Sequence, residues 1–428
     1  MKNYCKNLNN NITFHHKGIT FCTSLWTKEE SYILYDSKCI ENFIEKRNYW
    51  LKEMEAGENI DYCKNCMYLK EIDDSVQINN KITHIDIYHW INCNCACYYC
   101  TNRYDSKLRI TKEKVNGQIS ILKCLKKLKK LNLLDDNLSL STHGGEPTIL
   151  KEFGDIIKFA LKNKYPMTLL SNGILYEKNI PKILGRLPES YLTISLDSGT
   201  RETYKKIKRV DKFDDVVNNV KRYIKEIGEE FSFHLIMKYI ILKDMNDNKE
   251  EIDKWIDVCT SIGVRNFFPS IEFIDGVNHP ERNTITPKIV ELYNYIKKRV
   301  KEINPNFMLS QYDFVEERIL KFQTYGIRQN NLCENSWGTS KIIAEGKGYM
   351  IKIITINPHQ EFNIQNQDNV RKYWLVFKGI ANVVKNDKEI TLQESDIIDS
   401  SGQETSTIQN HEETALIIME VVKDNIFE

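Results

Sequence analysis

Six short apolar runs alternate with amphipathic stretches across residues 80–304, and this alternation predicts an α/β fold, a partial (βα)6 TIM-type barrel. Two further observations complete the architecture. Residues 1–78 form a cysteine-rich, irregular module, and residues 337–428 switch to short alternating strands with polar turns, as in an all-β barrel. Residues 305–336 read as a connector with one helix over 313–322.

The elements follow in order. A helix is expected over 40–54 within the first module. Strands are expected over 82–90, 138–142, 167–171, 191–196, 233–242 and 264–273. Between the first two, Val115, Ile119, Leu122, Leu125 and Leu128 recur at three or four, which places a helix over 111–133. The same period marks helices over 213–227 and 286–303. Repeated strand-helix units imply parallel pairing with right-handed crossovers, and such a barrel carries its active site at the strand C-termini. In the last zone strands are expected over 349–356, 374–384, 389–392 and 415–422.

Composition bounds the function. With 428 residues, 41% hydrophobic and 28% charged, the chain is an ordinary globular protein of two or three domains. A formal net charge of +1 gives no electrostatic case for nucleic acid. No apolar run approaches the ~20 residues of a membrane span, and the first residues lack an apolar signal core, so a cytoplasmic protein is expected. Twelve cysteines in such a chain point to metal ligands or buried thiols in preference to disulfides.

Cys93, Cys97 and Cys100 stand at CxxxCxxC spacing directly after the first barrel strand. Three thiolates in one loop can hold three irons of a [4Fe-4S] cube and leave the fourth open to a substrate. A structural zinc loop prefers four close ligands, usually as two CxxC pairs, although Cys95 lies within the loop and can stand in for a neighbour. Each later motif falls at the end of a predicted strand: His143-Gly144-Gly145-Glu146-Pro147, Ser171-Asn172-Gly173 and Ser195-Leu196-Asp197-Ser198-Gly199-Thr200. Paired glycines let backbone approach a ligand closely, and a carboxylate after them can take a bond from an ammonium. Ser195 and Asp197 share a strand face and suit a ribose diol, but Asp197 or Ser198 can equally cap the helix starting near Thr200. The charges of residues 204–209 read as solvated.

With Tyr99 before its last cysteine, the loop resembles the cluster signature of radical S-adenosylmethionine (SAM) enzymes, and the resemblance runs over about 81–303. It implies a [4Fe-4S] cluster on Cys93, Cys97 and Cys100, and SAM held by Tyr99, Gly144, Gly145, Glu146, Ser195 and Asp197. It also implies reductive cleavage of SAM to a 5′-deoxyadenosyl radical that removes a hydrogen atom from a substrate. The electron would come from a donor such as flavodoxin or ferredoxin. Cys22, Cys39, Cys63 and Cys66 resemble an auxiliary-cluster module; a second [4Fe-4S] cluster, zinc and no ligand all remain open for them.

The C-terminal zone resembles the cupin domain of mannose-6-phosphate isomerase-like proteins through Pro358, Gln365, Tyr373-Trp374, Gly379 and Glu420-Val421. Alignment on Gln365 and Trp374 puts Gln367, Asn369 and Lys372 where those cupins carry metal ligands, and Gly402 places Thr405 at the fourth position. None is a usual metal ligand, so a metal-free cupin is expected. A sugar or nucleotide-sugar substrate, converted by oxidation, epimerisation or rearrangement, rests on this analogy of fold. A peptide-modifying enzyme and a non-catalytic metal-binding scaffold are the alternatives. A homodimer through the cupin is also expected.

Overall fold

The computed structural model describes residues 2–21, 33–57, 63, 69–73, 75–76, 78–100, 119–272, 285–310, 315–320, 332–346, 349–364, 370–385, 388–399 and 406–424. It divides into two compact units, Met1–Phe273 with Pro287–Arg318, and Ile274–Thr286 with Ile319–Glu428.

The first unit opens with β1 (Lys2–Tyr4), α1 (Lys6–Asn10), β2 (Asn11–His15), β3 (Gly18–Thr20), α2 (Cys39–Glu55) and β4 (Lys70–Ile72). Then come β5 (Ile82–Tyr88), α3 (Ile121–Lys130), β6 (Leu134–Thr142), α4 (Phe153–Asn163), β7 (Met167–Ser171) and α5 (Ile180–Leu184). The unit continues with β8 (Tyr191–Ser195), α6 (Arg201–Lys208), α7 (Phe213–Ile227), β9 (Leu235–Ile241) and α8 (Lys249–Ser261). It closes with β10 (Asn266–Ile271), α9 (Pro287–Ile303) and β11 (Met308–Leu309).

The six expected barrel strands are β5 to β10, and they pair in sequence order, each parallel to the next. Sequential parallel strands with right-handed crossovers put every helix on one face, which leaves the other face turned inward. The sheet is larger than six strands. Met308–Leu309 extends it at one edge, and β2 with β3 extends it at the other, β2 lying parallel to β5. Part of the segment expected to be irregular is therefore sheet: Ile12, Thr13 and Phe14 are buried against β5.

Strand parity divides the sheet chemically. Ile85, Ile87, Leu140, Met167, Leu169, Leu192, Ile194 and Met237 are buried on the helix-covered face. Directly opposite residues share a face, so Thr13, His84, Asp86, Ser139, Ser141, Thr193, Ser195 and Lys238 all line the inner one.

Helix boundaries differ from expectation where a cap decides them. Ser120 caps α3 by accepting from Lys123 N, so that helix starts well after residue 111; residues 111–118 lie outside the described residues. Residues 229–234 form a 3-10 turn, which delays β9 to Leu235.

The second unit contains β12 (Leu332–Asn335), β13 (Gly338–Gly346), β14 (Tyr349–Ile356), β15 (Glu361–Ile364) and β16 (Val370–Lys378). It is completed by β17 (Ala381–Lys385), β18 (Lys388–Leu392), β19 (Ile397–Asp399), β20 (Ser406–Gln409) and β21 (Leu416–Asp424). A six-stranded sheet, β12-β13-β14-β21-β16-β19, and a four-stranded sheet, β15-β20-β17-β18, share a core of Ile354, Ile356, Trp374, Val376, Val383, Ile408 and Ile418. The single strand expected over 374–384 is two, because Gly379, at φ +94°, turns the chain between sheets.

Candidate active site

The cysteine loop leaves β5 and is pinned on two sides. On one side Ala96 N donates to Lys208 O at 3.0 Å and Tyr98 N donates to Ile207 O at 2.8 Å, which fastens the loop to the C-terminal turn of α6. On the other side Gly145 N donates to Trp90 O at 2.7 Å and Glu146 N donates to Asn92 O at 2.8 Å. The paired glycines are needed here for the chain's own backbone. A β-carbon on Gly145 would meet Asn92 O at 2.3 Å, and one on Gly144, at φ +106°, would meet the Tyr88 ring at 2.3 Å.

Cys93 is exposed, and Cys97 and Cys100 are half-buried. The Cys93 sulfur accepts from Cys95 N at 3.3 Å and from Asn172 Nδ2 at 3.6 Å, donors that favour a thiolate. The Cys95 thiol lies between Cys93 and Cys97 and hydrogen-bonds toward both. That bond, aided by the Lys208 charge against an opposing burial cost, holds the Cys97 thiol at about 6. Cys93 is shifted the same way by Cys95, while these bonds push the Cys95 thiol up. The thiols held acidic are thus Cys93 and Cys97, and Cys95 is their donor. Among the described residues no three His, Cys, Asp or Glu side chains converge tightly on one point. A single ion requires such convergence, whereas a cube spreads its thiolates over its corners. Three thiols on one loop, two of them held acidic, suit the corners of a cube.

Glu146 is 2% exposed and receives four donors: Thr148 N and Oγ1, Ser171 Oγ at 2.8 Å and Asn172 N at 2.7 Å. Burial raises its carboxyl, and these bonds oppose the rise. It joins the end of β6 to the end of β7, where Asn172 also donates to the Cys93 sulfur.

Asp197 is fully buried at φ +59°. Its Oδ2 accepts from the Tyr99 hydroxyl at 2.5 Å and from Lys208 Nζ; its Oδ1 accepts from Ile240 N at 2.8 Å. Lys208 Nζ also donates to the Tyr99 hydroxyl at 2.6 Å. Burial pushes the Tyr99 phenol well up, and the Asp197 charge adds to it. Two expectations are corrected here. Lys208 is 1% exposed and not solvated, because α6 ends against the cysteine loop. The cap of α6 is Thr200, which accepts from Thr203 N, and neither Asp197 nor Ser198 caps it. Ser195 ends β8, half-buried and opposite Lys238.

The inner face holds groups the motif search missed. Asp86 Oδ1 accepts from His84 Nε2 at 3.1 Å, His143 Nε2 at 3.4 Å and the Ser141 hydroxyl. His84 Nδ1 reaches Ser139 Oγ at 2.8 Å, and Tyr88 stacks on His143 with centroids 5.0 Å apart. Despite the burial cost, the bonds from His143, His84 and Ser141 hold the Asp86 carboxyl far below the usual range. The available signal was strand parity: His84, Asp86 and Tyr88 alternate with Ile85 and Ile87 in a strand flanked on both sides.

Cys22 and Cys66 lie outside the described residues. Cys63 is half-buried, while Cys39 is buried and shares a hydrogen bond with Cys124 of α3. Gln367, Asn369 and Thr405 also lie outside the described residues. No helix among the described residues is long and apolar enough to cross a membrane.

Comparison with known proteins finds two family matches and several partial relatives. Residues 87–268 match the Radical SAM superfamily, and residues 327–428 match the mannose-6-phosphate isomerase C-terminal family. The chain is 28% identical to the GTPase Obg of Brachyspira hyodysenteriae over 186 residues, 42% of this chain and 26% of that protein. It is 27% identical to a probable GTP 3′,8-cyclase of Methanocaldococcus jannaschii over 232 residues, 52% of this chain and 69% of that one. A like-named protein of Saccharolobus islandicus is 26% identical, with 40% of this chain and 51% of that protein covered. The chain thus spans about a quarter of the first relative and about half of the last. A solved protein of Photorhabdus luminescens has a TM-score of 0.21 at 11% identity, covering 22% of this chain and 81% of that one, too low to carry an argument.

Proposed function

We propose that this chain, which carries a Radical SAM domain and a mannose-6-phosphate isomerase C-terminal domain, is a radical SAM enzyme that uses a [4Fe-4S] cluster and SAM on a carbohydrate substrate. The substrate is a sugar or nucleotide-sugar, and the hydrogen atom is taken from a carbinol carbon. The observation that carries this reading is the inner face, where Asp86, His84, His143, Ser139 and Ser141 form one hydrogen-bonded set. Such a set suits a polyhydroxylated ligand, and an imidazole oriented by a carboxylate suits proton transfer with a hydroxyl.

When bound, the cluster and SAM supply the electron and the abstracting radical. Cys93, Cys97 and Cys100 hold the cluster in this reading. Glu146, Tyr99, Gly144, Gly145, Ser195 and Asp197 form the SAM side; Tyr99 and Asp197 act through the Lys208 knot, which fixes the loop. His143 exchanges the substrate hydroxyl proton, and Asp86 positions it. Cys22, Cys39, Cys63 and Cys66 as an auxiliary cluster, and a flavodoxin or ferredoxin as donor, belong to the same proposal. So does a cupin-mediated homodimer, supported by Phe377 and Ile397, 62% and 66% exposed on neighbouring strands. A mass by light scattering that is unchanged in a Phe377→Lys, Ile397→Lys variant would count against the dimer.

The test uses anaerobically iron-loaded protein, reductant, SAM and carbinol-deuterated sugars and nucleotide-sugars, with GTP as a parallel arm because of the relatives' names. Deuterium entering 5′-deoxyadenosine with a sugar supports the reading. The Cys97→Ala control should release no 5′-deoxyadenosine. Asp86→Asn should keep slow substrate-free release but lose substrate-dependent turnover by roughly 100-fold. Deuterium uptake from GTP and from none of the sugars would replace the sugar with a nucleotide.

A further inference from the structure

Three polar atoms at the base of the cysteine loop have no hydrogen-bond partner among the described residues: His89 Nδ1, Trp90 Nε1 and Thr142 Oγ1. His89 is 7% exposed and Thr142 3%, and the Trp90 indole nitrogen is itself buried. All three residues line one cavity of about 10 Å³, whose lining also includes Leu150, Phe153 and Ile156. The strand register explains why a hydroxyl stands there. Thr142 pairs with Ile87 and Leu169, so it lies on the helix-covered face, where its neighbours are apolar.

A buried donor or acceptor left unpaired bears its full desolvation cost, and three of them on one cavity point to a shared partner. The lining defines that partner. An indole N–H only donates, so it turns away a cation. An anion finds neither lysine nor arginine among the lining residues, and burial pushes His89 down to about 4, so its imidazole is neutral near pH 7. A buried water needs about 10–15 Å³ and makes about three hydrogen bonds. Here it accepts from Trp90 Nε1, exchanges a proton position with Thr142 Oγ1 and meets His89 Nδ1 in either tautomer.

We propose that this cavity binds one water molecule, held by His89 Nδ1, Trp90 Nε1 and Thr142 Oγ1. The water ties the start of the cysteine loop to the end of β6, alongside the bond from Gly145 N to Trp90 O. A high-resolution crystal structure of the full-length, iron-loaded protein should show one density peak within about 3.2 Å of all three atoms. Thr142→Val, which exchanges the hydroxyl for a methyl at nearly the same shape, gives a test in solution whose sign discriminates. If the hydroxyl holds the water, the change removes a bond and lowers the urea midpoint, by roughly 0.3–0.5 M. If the hydroxyl has no partner, the change removes a buried polar group and raises the midpoint. A lower midpoint, with loss or displacement of the peak in the variant, is the expected result. An unchanged or raised midpoint would overturn the proposal. So would a wild-type map with no peak there, or one with the three atoms turned to protein partners. Should the variant fail to fold, the wild-type map alone decides.

Discussion

At the scale of single residues, the Lys208–Asp197–Tyr99 knot decides whether the cysteine loop has a fixed base. Both charges are buried, so removing one leaves the other uncompensated. Lys208→Met is expected to cost about 3–5 kcal/mol. Tyr99→Phe, which removes only a hydroxyl, should cost about 1 kcal/mol. Urea midpoints measure both, and equal costs would mean that the ion pair is not the anchor. Histidines govern acid sensitivity. Burial pushes His89 down to about 4; burial, then His16, Lys17 and His143, push His15 down to about 3. Unfolded imidazoles titrate near 6.5, so the unfolded chain binds more protons as the pH falls below that value. Stability is thus full above about pH 6.5 and declines toward pH 4, by about 3 kcal/mol for His89. His89→Phe should flatten that slope in urea midpoints taken between pH 7 and 4.5; an unaltered slope would refute the assignment.

At the scale of elements, the loop and the glycine turn act as one piece. Gly145→Ala forces its new carbon against Asn92 O, Ile91 C and Trp90 O, all backbone atoms that cannot rotate away. The expected result is a protein that folds but loses most of its iron, read as iron per chain and the 400-nm absorption. Iron content equal to wild type would show that the turn can yield. The sequence made the six central strands and the cysteine loop legible because long apolar runs and close cysteine spacing are local signals. It did not reveal β2 and β3, five and three residues long among asparagines, whose burial depends on pairing with a strand some seventy positions away. Lys208 was misread for the same reason. Helical spacing sets it apart from Lys205 and Lys206, since Lys208 lies four residues after Tyr204 on the face that Ile207 shares, but only the fold brings Asp197 to it. Asp86 was legible in parity but lacked a motif to draw attention to it, and His143 stood in a motif read only for its glycines and glutamate.

At the scale of the whole molecule, each unit buries its own core, and the cysteine loop belongs to the first. The separation makes the cluster reading testable by calorimetry. A ligand that binds only the folded form of one unit raises that unit's unfolding temperature and leaves the other unchanged. Iron loading, reversed by a chelator under anaerobic conditions, should therefore move only the transition of the barrel unit, identified by its loss in Cys97→Ala. At a hundredfold excess over its dissociation constant, a ligand adds about 2.7 kcal/mol to its own unit, a shift calorimetry resolves. A single transition that moves as a whole on iron loading would mean that the units unfold as one cooperative body.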